Sequence, residues 1–115
     1  MSYKENIDEE KRTTENGELE KKVEEEDTSS FTLTVKNTFG IHFRSATLIV
    51  NYCRKFNEMI MVGKNGKRVD AKSILGLLTL GIKQGENLTF YVPRNLYERI
   101  YPDLKELFDA KFYED

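Results

Sequence analysis

Apolar and polar residues alternate over Phe31-Thr32-Leu33-Thr34-Val35, which predicts a strand with one buried face. Asn37-Thr38-Phe39-Gly40 breaks the alternation. From Ala46 the spacing changes, and Leu48, Ile49, Tyr52, Cys53 and Phe56 recur every three or four residues. That period is an amphipathic helix. Glu58-Met59-Ile60-Met61-Val62 returns to strand character, Gly63-Lys64-Asn65-Gly66 is a turn, and Lys67-Arg68-Val69-Asp70-Ala71 completes a hairpin. Ser73 then offers an N-cap for a short helix carrying Ile74, Leu75, Leu77, Leu78 and Leu80, with Gly81 as its stop. Gly85-Glu86 turns into a strand over Leu88-Thr89-Phe90-Tyr91-Val92.

The last segment sets Leu96, Tyr97, Ile100, Tyr101, Leu104, Leu107, Phe108 and Phe112 at helical spacing. Pro102 sits among them, and in a helix interior it costs about 3 kcal/mol. The helix therefore either starts close to Pro102 or kinks there. The order is strand, helix, strand, strand, helix, strand, helix. That predicts an α+β layer structure, a sheet with helices on one face.

Charge divides the 115 residues into two parts. Residues 1–30 hold 11 acidic and 5 basic side chains and few large apolar ones, a net charge of −6. Residues 31–115 hold 13 basic and 9 acidic side chains, a net of +4, and all seven phenylalanines. The first part lacks the apolar area to offset its ordering entropy, so residues 1–30 read as a disordered acidic extension of a domain over 31–115. No apolar run reaches membrane-spanning length and no signal-peptide core is present, which predicts a soluble cytoplasmic protein without membrane insertion. The single Cys53 excludes an internal disulfide and a zinc-type cluster, and its neighbours Tyr52 and Phe56 suggest a buried, inert thiol. The +4 domain has no concentrated basic stripe or stacking platform, which argues against nucleic-acid binding.

His42 is the only histidine, placed in Gly40-Ile41-His42-Phe43-Arg44 between the first strand and the first helix. An imidazole nucleophile, a fixed cation two residues on and the unpaired N–H groups of a helix start together suit phosphoryl transfer. Taken alone, His-x-Arg also fits a histidine that merely caps a turn.

Asn37-Thr38-Phe39-Gly40-Ile41-His42-Phe43-Arg44 resembles the active-site segment of the histidine-containing phosphocarrier HPr family of the sugar phosphotransferase system. Ala71-Lys72-Ser73-Ile74-Leu75-Gly76-Leu77-Leu78-Thr79-Leu80-Gly81 is similar to that family's second signature, around a regulatory serine. The two lie at the family's separation, and Gln84-Gly85-Glu86 continues the match; the resemblance spans roughly residues 31–112.

The resemblance implies an HPr-like open-faced β-sandwich, a four-stranded antiparallel sheet with three helices on one side. It implies that His42 accepts a phosphoryl group from phosphorylated enzyme I and passes it to sugar-specific IIA components, while Arg44 and first-turn amides steady the phosphoryl oxygens. No metal or cofactor is implied. Ser73 becomes a regulatory phosphorylation site served by an HPr serine kinase/phosphatase, besides being a helix cap worth about 1 kcal/mol. Phe43, Ser45, Arg54, Ile74, Leu75 and Leu78 are the expected partner-facing residues of a monomer. Two positions depart from the family pattern: Ser45 stands where proline is usual, and Phe43 where a small residue is usual. The competing reading is a regulatory binding module of the same fold, signalling mainly through Ser73 with little sugar-transport flux.

Overall fold

The computed structural model describes residues 27–114. The expectation of disorder over residues 1–30 therefore falls, up to residue 26, outside the described residues. Four strands form one antiparallel sheet: β1 (Thr28–Thr34), β2 (Met61–Lys64), β3 (Lys67–Asp70) and β4 (Asn87–Pro93), in the order β1-β4-β2-β3. The helices are α1 (Phe43–Cys53), α2 (Ile74–Leu78) and α3 (Tyr97–Asp109).

β1 begins three residues before the alternation that betrays it. Thr28, Ser29 and Ser30 pair with Pro93, Val92 and Tyr91, so backbone bonding, without any hydrophobic signal, carries the strand outward. The period of two does its work from Phe31 onward. Phe31 and Leu33 face inward, as do Leu88, Phe90 and Val92 of β4 and Val62 of β2. Phe31 and Phe90 are directly opposed, their rings stacked at 5.4 Å. On the other face Thr32 and Thr34 are exposed and hydrogen-bond across to Thr89 and Asn87. All three helices cover the Phe31 face and leave the threonine face open.

The β2–β3 hairpin closes through Asn65-Gly66, both at positive φ (51° and 84°), as a two-residue turn of the primed type demands. The strands reach further into this turn than the sequence suggested, since Gly63 and Lys64 belong to β2. α1 buries Ala46, Ile49, Val50 and Cys53. The Tyr52 hydroxyl donates to Asp103 of α3 at 2.6 Å, and burial followed by that carboxylate holds its phenol well above the ordinary range.

α3 runs through Pro102 rather than starting at it. The proline is exposed, and so is Glu98, whose carbonyl it leaves without an intrahelical donor; water can replace that bond. Ile100, Leu104 and Phe108 form the buried stripe. Phe112 does not extend the helix, contrary to its spacing. The helix ends at Asp109, and Lys111, Phe112 and Tyr113 adopt left-handed φ values of 54°, 55° and 60°. Phe112 is buried against Phe108 at 4.8 Å between ring centroids, which holds this unfavourable turn in place. Lys36 also bonds Asp109 at 2.7 Å, tying the end of α3 to the end of β1. The turn redirects the chain end toward the start of α1.

Candidate functional site

The loop between β1 and α1 is fixed from three sides. Gly40 has φ +70°, and a Cβ there would stand 2.5 Å from the Ile82 carbonyl oxygen, so only glycine fits. The Ile41 N–H donates to the same carbonyl at 3.0 Å. Buried Asn37 donates from Nδ2 to the Gly40 carbonyl at 2.7 Å. The outcome is an extended His42 (φ −126°, ψ −171°) that becomes the N-cap of α1.

His42 and Ser45 form a reciprocal capping box. The Arg44 N–H points at His42 Nδ1 (3.4 Å), and the His42 N–H donates to Ser45 Oγ at 2.9 Å. The Ser45 hydroxyl hydrogen lies within reach of the Gly40 carbonyl at 3.1 Å and the His42 carbonyl at 3.3 Å. Ser45 is fully buried. It cannot touch a partner, so its place among the partner-facing residues is corrected: its work is to cap the helix where a proline would otherwise preset the first turn.

Glu114, which no sequence pattern flagged, reaches this loop through the left-handed turn after α3. Its carboxylate oxygens lie 3.0 Å from His42 Nε2, one accepts from Asn37 Nδ2 at 2.7 Å, and one stands 4.0 Å from Arg44 Nε. A carboxylate only accepts, so the proton of a neutral His42 ring resides on Nε2 and the lone pair on Nδ1. That lone pair faces the first-turn amides of α1. The ring keeps 38% of its exposure while Glu114 keeps 10%, so the nucleophile is open and its orienting carboxylate is not.

Phe39 (73% exposed) and Phe43 (66%) flank the histidine, Phe39 edge-on to the imidazole at 6.2 Å. Leu75, at 75%, protrudes from α2. Ile74 and Leu78 are half-buried and lean on the core. Phe39 was legible only as part of the loop motif and not as a surface residue.

Ser73 caps α2 as its sequence position foretold, its Oγ accepting from the Gly76 N–H at 2.9 Å. Arg54, just past the C-terminus of α1, donates to the Lys72 carbonyl at 3.2 Å. His42 and Arg54 thus bracket an eleven-residue helix, about 16 Å long. The structure places Ser73 beside Arg54 and does not bring it into contact with His42. Among the described residues no acidic, histidine or cysteine cluster is arranged to hold a metal, and no helix is long and apolar enough to cross a membrane.

A family model described as "PTS HPr component phosphorylation site" matches residues 29–110. The chain belongs to the HPr family. Among solved structures it is similar to HPr-C-His from Thermoanaerobacter tengcongensis, with 36% identity and a TM-score of 0.69 over 76% of this chain and 98% of that one. It is also similar to the phosphocarrier protein HPr from Bacillus anthracis str. Ames, with 28% identity and a TM-score of 0.64 over 70% and 96% of the two chains. The HPr fold, a four-stranded antiparallel sheet with helices, is the one described above. The matched span begins within β1, so all four strands and the three helices belong to the family domain.

Proposed function

We propose that His42 is the phosphoryl acceptor of a cytoplasmic phosphocarrier, charged by phosphorylated enzyme I and discharged to IIA components of sugar transport. The observation that carries the reading is the pairing of His42 Nε2 with Glu114 at 3.0 Å, which leaves Nδ1 as the nucleophile beside the α1 amides and Arg44. In the transfer step the Nδ1 lone pair forms a bond to phosphorus. The bond from phosphorus to the donor breaks, and its electron pair leaves with the donor. The ring gains positive charge, which the Glu114 carboxylate balances through the Nε2 proton. First-turn N–H groups and the Arg44 guanidinium take up the phosphoryl oxygens. An exposed site with one flexible arginine holds the group loosely, which suits a protein that must give it away.

Phe43, Arg54, Ile74, Leu75 and Leu78 supply the docking surface, with Phe39 added to it. Ser73 is the regulatory site: a phosphate from an HPr serine kinase/phosphatase places about −1.5 to −2 charges beside Leu75 and Arg54. The bulk of Phe43 next to the nucleophile favours one variation, a regulatory module whose main output is through Ser73. Incubation with enzyme I, phosphoenolpyruvate and IIA components distinguishes them. Label that reaches His42 and moves on to IIA supports the carrier. Label confined to Ser73 under a serine kinase, with none on His42, supports the module and overturns the carrier.

A further inference from the structure

The face of the sheet turned away from the helices carries a groove of about 470 Å³. Its floor is a row across four strands, Thr32, Thr89, Gly63 and Arg68, paired in register. Gly63 keeps the floor low, since a Cβ there would meet the Lys67 carbonyl oxygen at 2.5 Å. The wall is cationic: Lys64, Lys67 and Arg68 against a single carboxylate, Glu86. Lys64 pairs with Glu86 at 3.0 Å. Lys67 and Arg68 have no carboxylate partner among the described residues. The Arg68 guanidinium lies over the Tyr91 ring at 3.7 Å, which fixes its plane and leaves its N–H edge for a carboxylate.

We infer that this groove is the docking site of the chain's own acidic segment, residues 15–20. Glu15, Glu18 and Glu20 bring three carboxylates and no basic residue, against the excess positive charge of the groove. The segment enters the domain at Thr28, at the start of the edge strand β1, from which either face of the sheet is reachable. From Thr28 the row at Thr32 lies about 13 Å along the strand, and β2 about 10 Å across it, roughly 17 Å in all. The eight residues from Glu20 to Thr28 span up to ~26 Å when extended, so the reach is ample. Thr32 and Thr89 hydroxyls supply hydrogen-bonding groups along the bottom. None of these observations depends on the chemistry assigned to His42.

The test is zero-length carbodiimide cross-linking of the full chain at low salt, with natural and ¹⁵N-labelled chains mixed to separate links within a chain from links between chains. Links from Lys67 or Lys64 to Glu15, Glu18 or Glu20 within one chain are expected. They should fall at least fivefold in about 0.5 M salt, where surface charges are screened within a few ångströms. In the Glu15→Gln/Glu18→Gln/Glu20→Gln chain they should vanish, and the amide signals of Gly63 through Arg68 should shift relative to the parent. Mixed-label links mean that a second copy occupies the groove and overturn the inference. So do links to Lys55 or Lys72 on the helical side, or amide signals at 63–68 that do not move.

Discussion

Glu114 and His42 are 72 positions apart in sequence and 3.0 Å apart in space, and this contact sets which imidazole nitrogen is available. The carboxylate has been brought there by a turn of three left-handed residues that the burial of Phe112 holds in place.

Glu114→Gln keeps the shape of the contact but removes the charge that balances the developing imidazolium. Phosphorylation of His42 by enzyme I should slow by about tenfold or more, the equivalent of ~1.4 kcal/mol in the barrier. The thermal midpoint should fall only modestly, because the amide oxygen of the new side chain can still accept from buried Asn37 Nδ2. A rate equal to the parent's would show that Glu114 is a bystander.

Gly40→Ala tests the loop that aims His42. The new Cβ meets the Ile82 carbonyl at 2.5 Å at a φ of +70°, so both clash and backbone strain oppose it. The domain should lose ~2 kcal/mol or more, a fall of about 8 °C or more in midpoint for a domain of this size. A midpoint within 2–3 °C of the parent, roughly half a kcal/mol, would mean that the loop yields freely.

Much of this was readable in advance. The Ser73 cap stands where the pattern put it, and the turn read over Gly63-Lys64-Asn65-Gly66 closes on its last two residues, whose chemistry admits few alternatives. The apolar period of α1 shows only from Ala46, three residues after the helix begins at Phe43, because its cap is a histidine backed by Ser45 rather than an ordinary N-cap residue. Phe112 misled because a left-handed turn preserved its spacing from Phe108, so burial alone could not tell helix from turn. Glu114 was invisible for a different reason: nothing local links a chain-end glutamate to a loop 72 residues before it.

Cys53 is fully buried, and burial pushes its thiol up to about 12 from an ordinary value near 9. The folded protein keeps this proton where the unfolded chain loses it. The associated stability is complete below pH 9 and declines as pH rises toward 12. Native protein should resist iodoacetamide at about pH 8 and react on addition of urea. The fall in stability above pH 9 should be shallower in Cys53→Ala. Rapid alkylation of the native state would contradict the buried assignment.

Ser73→Ala removes the Oγ that accepts from Gly76 N–H and should cost about 1 kcal/mol while leaving transfer to His42 intact. Ser73→Asp restores a cap and adds charge on the surface shared with Leu75 and Arg54, so it should keep the midpoint and slow transfer from enzyme I. Thermal melts and phosphorylation rates of both variants, measured side by side, decide this. Parental transfer in Ser73→Asp reduces Ser73 to a helix cap.

The central claim is that His42 Nδ1, and not Nε2, receives the phosphoryl group. The direct measurement is ¹⁵N and ³¹P NMR of the chain after incubation with enzyme I and phosphoenolpyruvate, which reports which ring nitrogen is bonded to phosphorus. The account predicts one acid-labile phosphate on Nδ1, absent from a folded His42→Ala protein. Phosphate on Nε2, or labelling that survives in His42→Ala, would contradict it.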